Sequence, residues 1–156
     1  MAAGRRVSEL RLTCSRSLAS LAPVNSDSRA TVYRAQEQRK PWGHEQIFAA
    51  AEGKYVGKII HVTAGQSLSL QYHEHKEETI CLISGEADIQ YGALGSELTV
   101  RRFRPGDTIH LLPGAVHRVT AISDIVFAEA STAPPGWRED VVRLEDAYGR
   151  TGTSAP

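Results

Sequence analysis

Between Tyr55 and Ala130 the chain is a succession of short β-prone runs, each closed by glycine or proline: Tyr55 to Thr63, Ser67 to Tyr72, Thr79 to Ile83, Glu86 to Tyr91, Glu97 to Phe103, Thr108 to Leu112, His117 to Ala121 and Ile125 to Ala130. Turn chemistry separates them at Ala64-Gly65, Ser84-Gly85, Gly92 to Gly95, Pro105-Gly106-Asp107 and Pro113-Gly114. Glycine there supplies positive φ and proline presets the turn, so one hairpin follows another. The fold class this predicts is all-β, an antiparallel sandwich or barrel.

The flanks have a different texture. Residues 1–39 are rich in Ser, Ala and Arg without sustained periodicity, which predicts a disordered leader. Its arginines and scarcity of acids also resemble an organelle transit peptide, and a plain disordered tail or an over-extended start is the preferred reading. The folded domain is expected at 40–150, and 151–156 form a second disordered tail. Within the domain, Glu139 to Tyr148 fits helical or extended spacing equally well.

An apolar content of 41% across 156 residues fills one core. Eighteen Lys and Arg balance eighteen Asp and Glu, so the electrostatic attraction that drives binding to nucleic acid or anionic membrane is missing at the whole-chain level. A small-molecule partner is expected instead. No apolar run approaches the roughly 18 residues of a membrane span. Cys14 and Cys81 lie in unlike settings, which argues against a disulfide framework and for a reducing cytoplasm.

One run carries unusual chemistry. Residues two apart in a strand share a face, so Ser67, Ser69, Gln71, His73 and His75 are predicted to point the same way. Burying such a face without hydrogen bonds or an ion is costly, and a solvated polar face is the simple alternative. Farther along, Glu78 stands five positions after His73, and His117 arrives three residues after Gly114. His61 and His110 sit in strands without matching partners and are expected to be structural; His44 has no assigned role.

These positions resemble the two motifs of the cupin superfamily. Gly65, Gln71, His73, Glu78 and Gly85 match the first, with Gln71 where the first histidine is usual. Gly106, Gly114 and His117 match the second, with Leu112 where the proline is usual, Pro113 one place later, and Ala121 where an asparagine closes the motif. The resemblance implies an RmlC-like jelly-roll β-barrel and one divalent metal held by Gln71, His73, Glu78 and His117. A pairing of His73 with His75 ranks second, because only two residues then precede Glu78. Such a mixed N/O set without thiolate suits zinc first, with Mn, Fe(II), Co or Ni as alternatives.

Longer stretches are similar to one branch, the type II mannose-6-phosphate isomerase domain found fused to guanylyltransferases. They include Lys40-Pro41-Trp42-Gly43, Lys58, Ser67 to His73, Ser84-Gly85, Pro113-Gly114, His117-Arg118 and Asp140 to Arg150. The branch continues its histidine motif as Arg-x-Glu-His-Trp, where this chain has Lys76, Glu77, Glu78, Thr79 and Ile80, keeping only the glutamate. The resemblance implies aldose–ketose isomerisation of a sugar phosphate; His75 is the candidate base, with an outer hydrogen-bonding role as its simpler alternative, and Lys58 and Arg143 are candidates to meet the phosphate, with solvated surface charge as the alternative. It also implies a homodimer, with the segment after Pro135 packed over the barrel or across the dimer contact. A non-catalytic sugar-binding cupin and an Fe(II) dioxygenase are the readings from other classes, the latter disfavoured by Gln71.

Overall fold

Inward-facing apolar residues recur every second position along most of the chain, and the sheets follow from that period. The structure is a computed structural model that describes residues 29–153. The disorder expected for 1–28 and for 154–156 lies outside those residues. By contact density the chain divides into two units, 1–33 and 34–156. In the first, residues 30–33 have no regular secondary structure. The second carries every described strand.

Eleven strands are present among the described residues: β1 (Gln36–Lys40), β2 (Gly43–Ala51), β3 (Tyr55–Val62), β4 (Leu70–Tyr72), β5 (Glu78–Ser84), β6 (Ala87–Ala93), β7 (Thr99–Phe103), β8 (Thr108–Leu111), β9 (Ala115–Ala121), β10 (Ile125–Thr132) and β11 (Val142–Glu145). A six-stranded sheet has the order β1-β2-β3-β10-β5-β8, and a five-stranded sheet the order β11-β4-β9-β6-β7. Every pairing is antiparallel. All eight expected runs are strands, give or take their ends, although the run from Ser67 is regular only from Leu70; Ser67 itself makes an isolated bridge to Thr120. No described helix is long and apolar enough to cross a membrane.

Three strands were not expected. The polar β1 overlaps the end of the segment read as leader, so among the described residues the first strand begins at Gln36, ahead of Lys40. The alanine-rich β2 pairs with both β1 and β3. The ambiguous stretch after Glu139 resolves as β11, which adds to the edge of β4.

Two clusters of apolar side chains fill the interior. Ile60, Val62, Ile80, Leu82, Val119 and Phe127 anchor the larger, and Ile47, Val56, Ala133 and Trp137 form the smaller. Each fully buried large side chain contributes about 1.5–3 kcal/mol. Toward one end of the six-stranded sheet the inward phase changes character: Glu45 precedes Ile47 on β2, Lys58 stands between Val56 and Ile60 on β3, Glu78 precedes Ile80 on β5, and Glu129 follows Phe127 on β10. Cross-strand register sets Glu129 opposite Lys58, and Glu78 opposite Ser131. Charge is thereby concentrated in one region of an otherwise apolar interior.

The turn at Gly85 shows how tightly the hairpins are closed. Its φ is +81°, and a Cβ there would lie 2.3 Å from the carbonyl oxygen of Asp124. Gly85→Ala therefore meets both an unfavourable backbone conformation and a backbone clash. It is expected to destabilise the fold by about 1–3 kcal/mol, read as a lower urea midpoint with an unchanged slope; an unaltered midpoint would show that the turn relaxes freely.

Candidate metal centre

The candidate ligands converge from both sheets. Gln71 on β4 lies directly opposite His117 on β9, while Glu78 opens β5 on the facing sheet. His73 follows β4 by one residue. Ligand atoms of His73, Glu78 and His117 all lie within 4.8 Å of one another, and all three residues are buried. Gln71 lines the same pocket, its Oε1 accepting a 2.6 Å hydrogen bond from the buried Ser69 hydroxyl.

Main-chain carbonyls fix both imidazoles. His117 Nδ1 is 3.0 Å from the Ala115 oxygen, and His73 Nδ1 bonds the Asp140 oxygen. A carbonyl can only accept, so each Nδ1 carries the proton and each Nε2 turns inward. His117 Nε2 meets Glu78 Oε1 at 2.9 Å. His73 Nε2 lies 3.4 Å from Glu78 Oε2 without hydrogen-bond geometry, and is buried with no partner. A neutral imidazole there aims a lone pair at a carboxylate oxygen, an arrangement that calls for a cation between them. That orphaned nitrogen, with one carboxylate, a second imidazole and an adjacent amide oxygen, fits a borderline divalent metal.

Behind the triad runs a chain of alternating buried charges. Lys76 Nζ lies 2.8 Å from Glu78 Oε2 and 3.1 Å from Glu129 Oε1. Lys58 joins Glu129 at 3.5 Å to Glu45 at 3.7 Å, and Lys40 meets Glu45 at 3.3 Å. Burial alone would raise the Glu78 pKa, but the Lys76 ammonium and then His117 hold it well below the usual carboxylate range. Glu129 is lowered in the same way, burial being outweighed by Lys58 and Lys76. Burial would lower Lys76, yet Glu129 and Glu78 raise it above an ordinary lysine. His117 is raised despite burial, because Glu78 favours its charged form.

The phosphate candidates both reach the pocket. Lys58 lines it but is committed to Glu45 and Glu129. Arg143, on β11 opposite Gln71, is buried; its Nη1 donates to the Thr153 carbonyl at 2.7 Å, while its Nε has no partner. Burial lowers its pKa, with Arg150 adding to the effect. Arg150 also lines the pocket, anchored to Asp146 at 2.7 Å.

His75 is elsewhere. The strand alternation that places it beside His73 ends with β4 at Tyr72; the chain bends at Glu74 and His75, and the His75 side chain is exposed and absent from the pocket lining. The N–H groups of Glu74, His75 and Lys76 turn instead toward the Asp140 carboxylate, at 2.9, 3.1 and 2.7 Å. Lys76 takes the inward position. His44 and His61 stack across β2 and β3 with centroids 4.3 Å apart, and His110 lies 2.9 Å from the Thr79 hydroxyl. Cys81 is a free thiol.

Lys76, Glu45, Glu129 and Asp140 were missed from sequence. For the first three a signal existed: a charged residue on the inward phase of an otherwise apolar strand, with Lys76 two residues before Glu78, Ile80 and Leu82 in the same phase. Asp140 has no such signal, since its role depends on a contact spanning more than sixty residues.

Two sheets that enclose a polar pocket with a His/Glu/His triad define a cupin, and the solved structures agree. The fold matches the capsular polysaccharide assembling protein CapF from Staphylococcus aureus at a TM-score of 0.64 and 16% identity, over 74% of this chain and 33% of that one. It matches oxalate decarboxylase from Bacillus subtilis at 0.62 and 13%, over 70% and 30%. A family model described as mannose-6-phosphate isomerase C-terminal matches residues 26–146, and the chain belongs to that family. Among curated relatives, mannose-1-phosphate guanylyltransferase ManC of Salmonella typhimurium is 29% identical over 129 residues, covering 81% of this chain and 26% of the relative. Alginate biosynthesis protein AlgA of Pseudomonas aeruginosa is 28% identical over 136 residues, covering 85% and 27%. The chain thus spans about a quarter of the length of these relatives.

The charge network sets a pH dependence. Glu78 and Glu129 have depressed pKa values when folded, so the stability they contribute is present above the ordinary carboxylate pKa of about 4.3 and is lost as pH falls through the folded values. His117 runs the other way: its contribution is complete below about 6.5 and is lost as pH rises through its raised value. Chelator-treated protein should therefore have its highest thermal midpoint near pH 5–6.5, roughly between those two ordinary values, with a steep acid limb. That limb should flatten in Glu78→Gln, and parallel profiles for the two proteins would show that the buried carboxylate is not its source.

Proposed function

We propose that the chain is a metal-dependent cupin that binds a sugar phosphate and interconverts its aldose and ketose forms. The observation that carries this reading is the orphaned His73 Nε2, buried and aimed at Glu78 in a pocket whose other wall presents the unpartnered Nε of Arg143. Gln71, His73, Glu78 and His117 would hold the ion, zinc first among Mn, Fe, Co and Ni. Bound there, such an ion acts as a Lewis acid on a carbonyl or hydroxyl oxygen and eases proton loss at the adjacent carbon. Family membership gives mannose 6-phosphate as the first substrate to try.

The remaining work falls to the chain itself. Arg143 offers a guanidinium fork to a phosphate, in a setting where burial strengthens a charge-assisted hydrogen bond. Lys58, engaged by two carboxylates, contributes positive field at that wall. The Lys76 ammonium spends two of its three N–H groups on Glu78 and Glu129 and keeps one for an oxygen that gains charge during enolisation.

One observation favours a second reading, a non-catalytic sugar-binding cupin. Among the described residues, every carboxylate lining the pocket is already engaged: Glu45, Glu78 and Glu129 by cations, and Asp140 by main-chain N–H groups. With His75 outside the pocket, no free base faces the substrate. A coupled assay on mannose 6-phosphate and related aldose phosphates, run on metal-reconstituted protein, separates the readings. Turnover that disappears in His117→Ala together with stoichiometric metal supports the isomerase. Tight binding without turnover supports the binding module, and stoichiometric iron with oxygen uptake would replace both. In either of the first two cases Arg143→Lys, which keeps the charge but not the fork, is expected to weaken sugar-phosphate binding about tenfold, or about 1.4 kcal/mol, by calorimetry. Wild-type affinity in that variant would move the phosphate site elsewhere.

A further inference from the structure

Four consecutive residues at the heart of the site hang on one distant residue, His73 on its main-chain carbonyl and the next three on its carboxylate. The Asp140 carboxylate accepts the N–H groups of Glu74 and His75 and Lys76, and its own carbonyl accepts from His73 Nδ1. We infer that Asp140 is a positioning residue for the metal centre, setting both the orientation of His73 and the bend that brings Lys76 in and turns His75 out. This rests on the metal reading above.

β4 ends at Tyr72 and β5 starts at Glu78, so the N–H groups of residues 74–76 leave the strand ladder and need other acceptors. An ionised carboxylate accepting three of them makes charge-assisted bonds stronger than a neutral acceptor would. Burial opposes ionisation of Asp140, but the N–H groups of Glu74, Lys76 and His75 outweigh it and lower its pKa. From the other side, the Gly114 N–H donates to the His73 carbonyl at 2.7 Å. The His73 backbone is thus held by the turn before β9 and its ring by Asp140, leaving Nε2 a single direction to face.

Two consequences bear on metal binding. Fixing Nδ1 as the protonated nitrogen keeps the Nε2 lone pair available to a cation, the role that outer hydrogen-bond partners play for metal-bound imidazoles. The bend also reverses the side-chain alternation between His73 and Lys76, and it is this reversal that sets the Lys76 ammonium on Glu78 Oε2. Asp140 belongs to the same segment as Arg143, three residues on, so it ties the wall that would meet an anion to the loop that would meet a metal.

The test uses Asp140→Asn in the full chain, which preserves shape but replaces one acceptor oxygen by an NH2 group that faces main-chain donors. Zinc affinity is measured by competition with a chromophoric chelator at a temperature where both proteins are folded. The expected result is a loss of about 10–100-fold in affinity with 1:1 binding recovered at saturation. Independently, 15N NMR of the metal-free protein should report a single His73 tautomer, protonated on Nδ1, in wild type and a mixture in the variant. A purely structural role would lower the melting temperature and move neither readout. Should Asp140→Asn fail to fold, Asp140→Glu keeps both acceptors one methylene farther out and is expected to shift both readouts in the same direction. Affinity within threefold of wild type and an unchanged tautomer would overturn the inference. If wild-type protein takes up no stoichiometric zinc, the metal reading fails on its own, while the tautomer measurement still decides the role of Asp140.

Discussion

A carboxylate without solvent must have cations, and Glu78 is that carboxylate here. It contacts Lys76 on one oxygen, His117 on the other and His73 nearby, with 4% of its surface exposed. Removing one partner from such a buried set leaves an uncompensated charge, at a cost of about 3–5 kcal/mol. The same logic propagates outward, since Lys76 requires Glu129, Glu129 requires Lys58, Lys58 shares Glu45, and Glu45 is met by Lys40. The polar interior is therefore a single connected object supported by five strands of one sheet and the loop before β5.

The fold by itself specifies little of what happens in that interior. Solved neighbours of 13–16% identity share the two-sheet architecture with this chain while bearing quite different names, a capsular polysaccharide assembling protein and a decarboxylase. What separates one cupin from another is the set of side chains at the end of the inward phase. In this chain those side chains pair a His/Glu/His triad with a lysine-rich ladder, and the five-stranded sheet adds Arg143 through β11.

Sequence legibility followed the range of the interactions involved. The glycine and proline turns are local, and all eight runs between them are strands. Gln71, His73, Glu78 and His117 were legible through the two cupin motifs, and the structure brings them to one pocket. His75 was misplaced because a period of two was carried past Tyr72, where the ladder stops. Reading the same period backwards from Leu82 and Ile80 puts Glu78 and Lys76 inside and leaves His75 out. β1 and β2 escaped notice for a compositional reason: Gln36–Lys40 has no apolar residue, and the run of alanines at the end of β2 lacks β-branched character. β11 is held by pairing with β4, some seventy residues earlier, which no local pattern records.

The segment carrying Trp137, Asp140 and Arg143 follows every strand of the two sheets except β11, which lies within it, and a ribosome therefore delivers it after them. β3 and β10, far apart in sequence, pair without it, and the ion ladder closes among residues 40 to 129. His73 takes its ring acceptor, and the bend at residues 74–76 its carboxylate, from this later segment. The barrel and the geometry of its pocket thus draw on different stretches of the chain, so a substitution at residue 140 can disturb the pocket while every pairing of β3 and β10 is kept.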